Sequence, residues 1–202
     1  MQSIGLNRLD IVEKSKKYEK INCLKVLAVG RLIYWKGFEI SIDAVIKVYL
    51  SGLNIQLTIL GEGTEKGNLI RRVNEEYKSV IKFYGDVEHS KIDEFYNDSD
   101  VLWNCSLNDS GCLVVIEALS KGIPVICIKT GGAEILTDDN CAIRIESDSY
   151  ENIVNNIVKE LNKLVNEPKK LSKMSCTSLK KSQELVYESK YREFAKEVEK
   201  VL

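Results

Sequence analysis

The stretch Asp109-Ser-Gly-Cys-Leu-Val-Val-Ile-Glu117-Ala-Leu-Ser-Lys-Gly122-Ile-Pro124-Val125 decides the fold of this chain. Gly111 closes a loop, residues 112–121 form an apolar run of helical length, and Gly122-Ile-Pro124 stops that helix before a short apolar strand at 124–128. A helix that passes straight into a buried strand is half of a βαβ unit. Working outward, strands at 24–30, 55–60, 80–84 and 101–104 alternate with helical patterns at 38–50, 66–77 and 91–96. Beyond Gly131-Gly132, a short helix around Glu134 and a strand at 142–145 complete the series. The pattern predicts an α/β fold, a doubly wound parallel sheet of about six strands with helices on both faces. Helical patterns without intervening strands follow. Their apolar stripes (Ile153, Val154, Ile157, Leu161, Leu164 and Val165, then a last one at 191–202) predict a helical C-terminal tail.

The chain has 202 residues, 44% of them hydrophobic and 29% charged, enough to bury one sizeable core. Residues 1–22 are charged and aperiodic and read as an interdomain linker, with 23–202 as the domain itself. A formal net charge of -1 provides no basic field, so nucleic acid is not an expected partner. Residues 159–200 are Lys-rich but interleaved with Glu, the pattern of a solvated helical face, with contact to a membrane surface as the alternative. No apolar run reaches the ~18 residues of a membrane span, and the polar N-terminus lacks a signal-peptide pattern. Cys23, Cys105, Cys112, Cys127, Cys141 and Cys176 show no metal-ligand spacing, and scattered thiols fit a reducing, cytoplasmic setting. His89, the single histidine, reads as a loop residue, so neither a zinc site nor a Ser/His/Asp arrangement is expected.

In an open parallel sheet, ligands bind beyond the carboxyl ends of the strands. Past the first strand, Gly30 leads into Arg31 and Lys36. An Arg fork and a Lys point charge at that spacing could both reach one diphosphate, or be a pair of solvated loop cations. Gly85-Asp86-Val87 allows a flat base to approach the backbone beside an apolar edge, or is an ordinary turn. After Gly111, the free amides of Cys112, Leu113 and Val114 and the positive end of the helix dipole make an anion site. Glu117 lies one turn on, about 5 Å by helix rise, within reach of a ribose attached to an anion held there. The alternative is a carboxylate that caps a neighbouring backbone group. Asp109 sits across the glycine, facing the group beyond the phosphates. Residues 61–67 lack the G-x4-G-K-[ST] spacing of a phosphate loop and read as a strand-to-helix turn. Trp35 and Trp103 read as packing residues, with Trp35 close enough to the two cations to border a ligand.

In order along the chain stand Gly30-Arg31 with an x4 spacing to Lys36-Gly37, then Gly61-Glu62-Gly63, then Gly85-Asp86. Asp109 follows with an x7 spacing to Glu117-Ala118, and Gly122-x-Pro124-Val125 closes the set. Together these resemble the retaining glycosyltransferases of family 4. The resemblance covers residues 24–202 and is to the C-terminal, donor-binding domain of the two-domain glycosyltransferase B fold, which is Rossmann-like. It implies that Arg31 and Lys36 bind the diphosphate of a sugar nucleotide, that Glu117 takes the ribose hydroxyls, and that Asp86 and Val87 border the base. The main chain around Leu113 and Val114 would hold the phosphates, with Gly30, Gly111 and Cys112 in the same nucleotide-sugar site. Asp109 would face the donor sugar. The family usually has Glu at this position, and an aromatic residue followed by glycine where Gly111-Cys112 stands. The shorter carboxylate withdraws its oxygens by roughly 1.5 Å.

The implied activity is transfer of a sugar, with retention, from a UDP- or GDP-linked donor to an acceptor hydroxyl, with Arg31, Lys36 and Asp109 as the catalytic residues. Charge growing on the departing diphosphate would be stabilised by Arg31, Lys36 and the helix N-terminus, with neither metal nor cofactor. The implied partner is an N-terminal acceptor-binding domain, and the single Rossmann-like unit is expected to bind nucleotide without efficient transfer. By association the family points to bacterial capsule or other surface-polysaccharide synthesis in the cytoplasm, with peripheral membrane association of the full-length enzyme. The readings from other classes are a non-catalytic nucleotide- or partner-binding module and a nucleotide-sugar 2-epimerase, whose acid/base residues have no counterpart here.

Overall fold

The computed structural model describes residues 11–109 and 111–185. The elements run β1 (Leu24–Val29), α1 (Phe38–Leu50), β2 (Ile55–Leu60), α2 (Lys66–Arg72), β3 (Ile81–Gly85), α3 (His89–Asp98) and β4 (Val101–Asn104). They continue with α4 (Leu113–Ser120), β5 (Val125–Ile128), α5 (Gly131–Leu136), β6 (Ala142–Ile145), α6 (Tyr150–Asn166) and α7 (Pro168–Glu184). The six strands pair in the order β3-β2-β1-β4-β5-β6, every pair parallel. β1 is paired along its whole length with β2, and with β4 on its other side. The chain therefore starts at the middle of the sheet, winds to one edge, and crosses back to wind to the other.

Alternate residues of the strands feed two cores, the signature of a sheet covered on both faces. Leu24, Val26 and Ala28 of β1 pack with α1, Leu69 of α2 and α6, whereas Leu27 packs on the other side with Tyr96, α4 and Ala133 of α5. β4 and β5 are buried at every position, which is why they read as apolar runs, broken only by Asn104 at the end of β4. On the first face, Arg72 forks onto both oxygens of Asp43 at 2.6 Å, and Tyr150 donates to Asp43 at 2.8 Å, tying α1, α2 and α6 together. Pro168 stands at the start of α7, where its missing N–H costs nothing.

Three expectations change. The helix expected at 66–77 ends at Arg72: Val73 is extended, and a separate 3-10 turn forms at Glu75–Tyr77. The apolar phase of Leu69, Ile70, Val73 and Tyr77 runs through this break without a Gly or Pro to mark it. His89 is the first residue of α3 rather than part of a loop. The helix expected from 112 starts at Leu113, with Cys112 as its cap in a left-handed conformation (φ 42°, ψ 40°). The stripe at 191–202 lies outside the described residues.

Residues 11–22 form no regular element, yet they are fastened to the body. Val12 N–H donates to the Ser120 carbonyl (2.9 Å), Lys16 N–H to Ser175 Oγ (2.8 Å) and Tyr18 N–H to Ser172 Oγ (2.8 Å). The Lys16 ammonium donates to the carbonyls of Tyr96 (3.3 Å), Asn97 (2.7 Å) and Ser99, closing the C-terminal turn of α3 where a cation is favoured. The loops leaving β1 and β2 are in backbone contact. Gly30 N–H donates to Leu60 (3.1 Å), Leu32 N–H to Glu62 (2.8 Å) and Glu65 N–H to Leu32 (2.9 Å). A Cβ on Gly61 would overlap the Gly30 carbonyl, and one on Gly63 the Leu32 carbonyl, so both positions require glycine. Among the described residues no helix is long and apolar enough to cross a membrane.

Candidate functional site

Strand order reverses between β1 and β4, the switch point beside which an open α/β sheet binds its ligands. The loop after β1 and the loop after β4 meet there. The Trp35 carbonyl accepts from Leu107 N–H (2.7 Å) and from Ser106 Oγ (3.3 Å), which holds the 3-10 turn Tyr34–Lys36 against the β4 exit. The loop after β5 closes the third side. Thr130 Oγ1 donates to the Ser106 carbonyl (3.0 Å) and Gly132 N–H to the Asp109 carbonyl (2.9 Å). Gly131 has φ 62°, and a Cβ there would stand 2.9 Å from that same carbonyl, so the close approach needs glycine.

This framework brings Lys36 and Asp109 together. Lys36 Nζ donates to Asp109 Oδ2, while Asp109 Oδ1 accepts from Cys112 N–H at 3.3 Å. Both side chains are about four-fifths buried, with 21% and 17% of their surface exposed. Burial alone would raise the Asp109 pKa, but the hydrogen bond from Lys36 and the amides of Cys112 and Gly111 outweigh it and hold the carboxyl below its usual range. The carboxylate thus already engages a cation and an amide of the kind expected to receive phosphate. The next two amides, of Leu113 and Val114, open α4 and by helix geometry lack intrahelical acceptors.

On the β1–β2–β3 side lies a cleft of about 360 Å³ lined by Gly30, Arg31, Gly61, Glu62, Asp86 and Val87, with Leu60 and Ile92. Its size suits a small ligand. Of the expected site residues, the structure gathers Gly30, Arg31, Asp86 and Val87 here, and Lys36, Asp109 and Cys112 at the switch point. Arg31 is exposed and faces the cleft, so the two cations divide between neighbouring parts of the face. Glu117 lies midway along α4, where its Oε2 accepts a hydrogen bond of 2.7 Å from Tyr96. Trp103 is buried as expected, whereas Trp35 is 36% exposed and stands edge-on to Tyr34.

Sequence reasoning missed Tyr96, and it quoted Glu62 within a motif without giving it a role at the site. Tyr96 falls in the apolar phase of α3, and a tyrosine in phase looks like core. Glu62 belongs to the 61–67 turn, whose place beside the cleft depends on the backbone contacts between the loops leaving β1 and β2. Among the described residues no group of three or more His, Cys, Asp or Glu side chains is arranged to hold a metal. A groove of about 330 Å³ along the outer edge of β6, lined among others by Arg144, Glu160 and Lys170, shares no residue with this face.

Comparison with known proteins gives a consistent result. The family described as "Glycosyl transferases group 1" matches residues 10–181. The amylovoran biosynthesis glycosyltransferase AmsD of Erwinia amylovora is 34% identical over 149 residues, covering 71% of this chain and 39% of that protein. Among solved structures, the pneumococcal O-GlcNAc transferase GtfA in complex with UDP and GlcNAc superposes with a TM-score of 0.76 at 21% identity. That match covers 95% of this chain and 39% of the other. The C-terminal domain of the group 1 glycosyl transferase LpcC from Francisella tularensis superposes at 0.72 with 19% identity, covering 89% of this chain and 97% of that one. The chain thus spans about two fifths of the curated relative and is matched nearly end to end by a single C-terminal domain.

Proposed function

This chain belongs to the group 1 glycosyltransferases, and on that premise we propose that it is the donor-binding half of a retaining transferase that uses a nucleoside-diphosphate sugar. The observation that carries the reading is the convergence of Lys36, Asp109 and the start of α4 at the switch point, beside the cleft faced by Arg31. The base lies in the cleft against Asp86 and Val87, Glu117 accepts from the ribose hydroxyls, and the diphosphate bridges Arg31 and Lys36 onto the amides of Leu113 and Val114. As the bond between the anomeric carbon and the phosphate oxygen breaks, the electron pair stays on that oxygen. Fixed cations and amides then stabilise the new charge without having to reorganise. Asp109 faces the sugar once the diphosphate has displaced it from Lys36. Retention follows from the family resemblance, with the acceptor hydroxyl attacking on the face the diphosphate leaves.

The acceptor is held by a separate N-terminal domain, to which residues 1–22 lead, and these 202 residues alone bind nucleotide without efficient transfer. The six cysteines, all unpaired, favour the reducing cytoplasm. AmsD acts in amylovoran biosynthesis, and by that likeness the product is a surface polysaccharide, made at the cytoplasmic face of the membrane. Titration calorimetry with UDP and with GDP tests the site. One of the two binds, and Arg31→Ala and Glu117→Ala each weaken it by about tenfold or more, the worth of a charge-assisted hydrogen bond. Unchanged affinity in both variants would sink the donor-site assignment.

A further inference from the structure

Tyr96 stands in the last turn of α3 with 1% of its surface exposed, and its phenol spends its proton on Oε2 of Glu117 at 2.7 Å. Burial, and then the charge of Glu117, push the phenol pKa well above the ordinary value, so the hydroxyl remains a donor at any working pH. The turn that carries it is itself fixed, because the Lys16 ammonium donates to the carbonyls of Tyr96 and Asn97. Glu117 is partly buried on a helix otherwise dominated by Leu, Val, Ile and Ala, and among the described residues no hydrogen bond engages its Oε1. A free glutamate on a helix samples several rotamers, and ordering it costs free energy when a ligand arrives.

We propose that Tyr96 is the positioning residue for the ribose site: by holding Oε2 it locks the Glu117 rotamer and presents Oε1 to the two vicinal hydroxyls. The inference rests on the donor-site reading above and adds a residue that never touches the ligand. A purely structural reading, in which Glu117 merely satisfies a buried hydroxyl, predicts that the tyrosine matters to stability alone.

The two readings part in the variant Tyr96→Phe, which keeps the ring and removes only the donor. Calorimetric titration of the full chain with UDP and 3'-deoxy-UDP, or with the guanosine pair if GDP is the nucleotide that binds, gives the affinity ratio that reports the ribose contact. In the wild type that ratio favours the ribonucleotide. In Tyr96→Phe the ribonucleotide weakens by about tenfold while the deoxynucleotide changes little, so the ratio collapses toward that of Glu117→Gln. A thermal melt of each variant separates binding from folding, and Glu117→Gln supplies the reference without touching Tyr96. A Tyr96→Phe protein that melts lower yet keeps the wild-type ratio overturns the positioning role and leaves the donor site standing. A wild-type ratio that is the same in Glu117→Gln overturns the ribose contact itself and the positioning role with it, while the donor site then stands or falls on Arg31→Ala.

Discussion

At the scale of single residues, the geometry around Asp109 resembles a site filled by its own ligand substitute. The carboxylate sits on Lys36 and on the Cys112 amide, so an incoming diphosphate must compete with it. Asp109→Asn is therefore expected to bind UDP or GDP more tightly than the wild type, by up to about tenfold, a direction opposite to that of Arg31→Ala. Stability moves the other way. The folded-state pKa of Asp109 is depressed, so its contribution is complete above the unfolded value of about 3.9 and is lost as the pH falls through the folded one. Urea unfolding should show the wild type more stable than Asp109→Asn at pH 7, with the difference shrinking below about pH 4. Beside it, Cys112 is the only non-glycine among the described residues with a positive φ. The family resemblance places glycine there, and the chain retains the left-handed backbone without the residue that adopts it freely.

At the scale of elements, α4 joins the site to the scaffold, and α7 braces the turn that follows it. Ser175 of α7, fully buried, donates to the Gly122 carbonyl at 2.6 Å and accepts from Lys16 N–H, joining the α4–β5 turn, α7 and the N-terminal segment through one hydroxyl. Ser175→Ala leaves two groups short of a partner and should cost about 1–3 kcal/mol in equilibrium urea denaturation. The elements themselves were largely legible. Short apolar-rich runs between turn signals mark strands, and those at 55–60 and 101–104 fall where the pattern puts them, although Gln56 in the first is exposed and Asn104 in the second is buried and polar. The break at Val73 was not legible, because side-chain periodicity persists while the backbone leaves the helix. Arg31, Asp86 and Val87 could be placed at strand ends, but the Lys36–Asp109 pair spans 73 residues and depends on which strands are neighbours. The Tyr96–Glu117 bond required knowing that α3 and α4 cover the same face.

At the scale of the whole molecule, the strand order brings the cleft residues Gly30, Arg31, Asp86 and Val87 beside Lys36, Asp109 and Cys112, while the segment before β1 is fastened to the C-terminal ends of α3 and α4 and to α7. The burial of the thiols gives a simple check on this architecture. Cys176 is exposed and Cys23 intermediate, whereas Cys105, Cys112, Cys127 and Cys141 are buried, with Cys112 and Cys141 raised to about 11 chiefly by burial. Titration with a chromogenic disulfide at pH 8 should find one fast thiol and one slower one, with the other four reacting only after denaturant is added. The glycine contacts between the loops leaving β1 and β2 bear on something else, the traffic of sequence between related proteins. Because Gly61 and Gly63 fit against Gly30 and Leu32 backbone to backbone, neither loop has a shape of its own to donate. A chimaera meant to exchange nucleotide preference has to carry both as one cassette, and recombination between them breaks the mould that either was cast in.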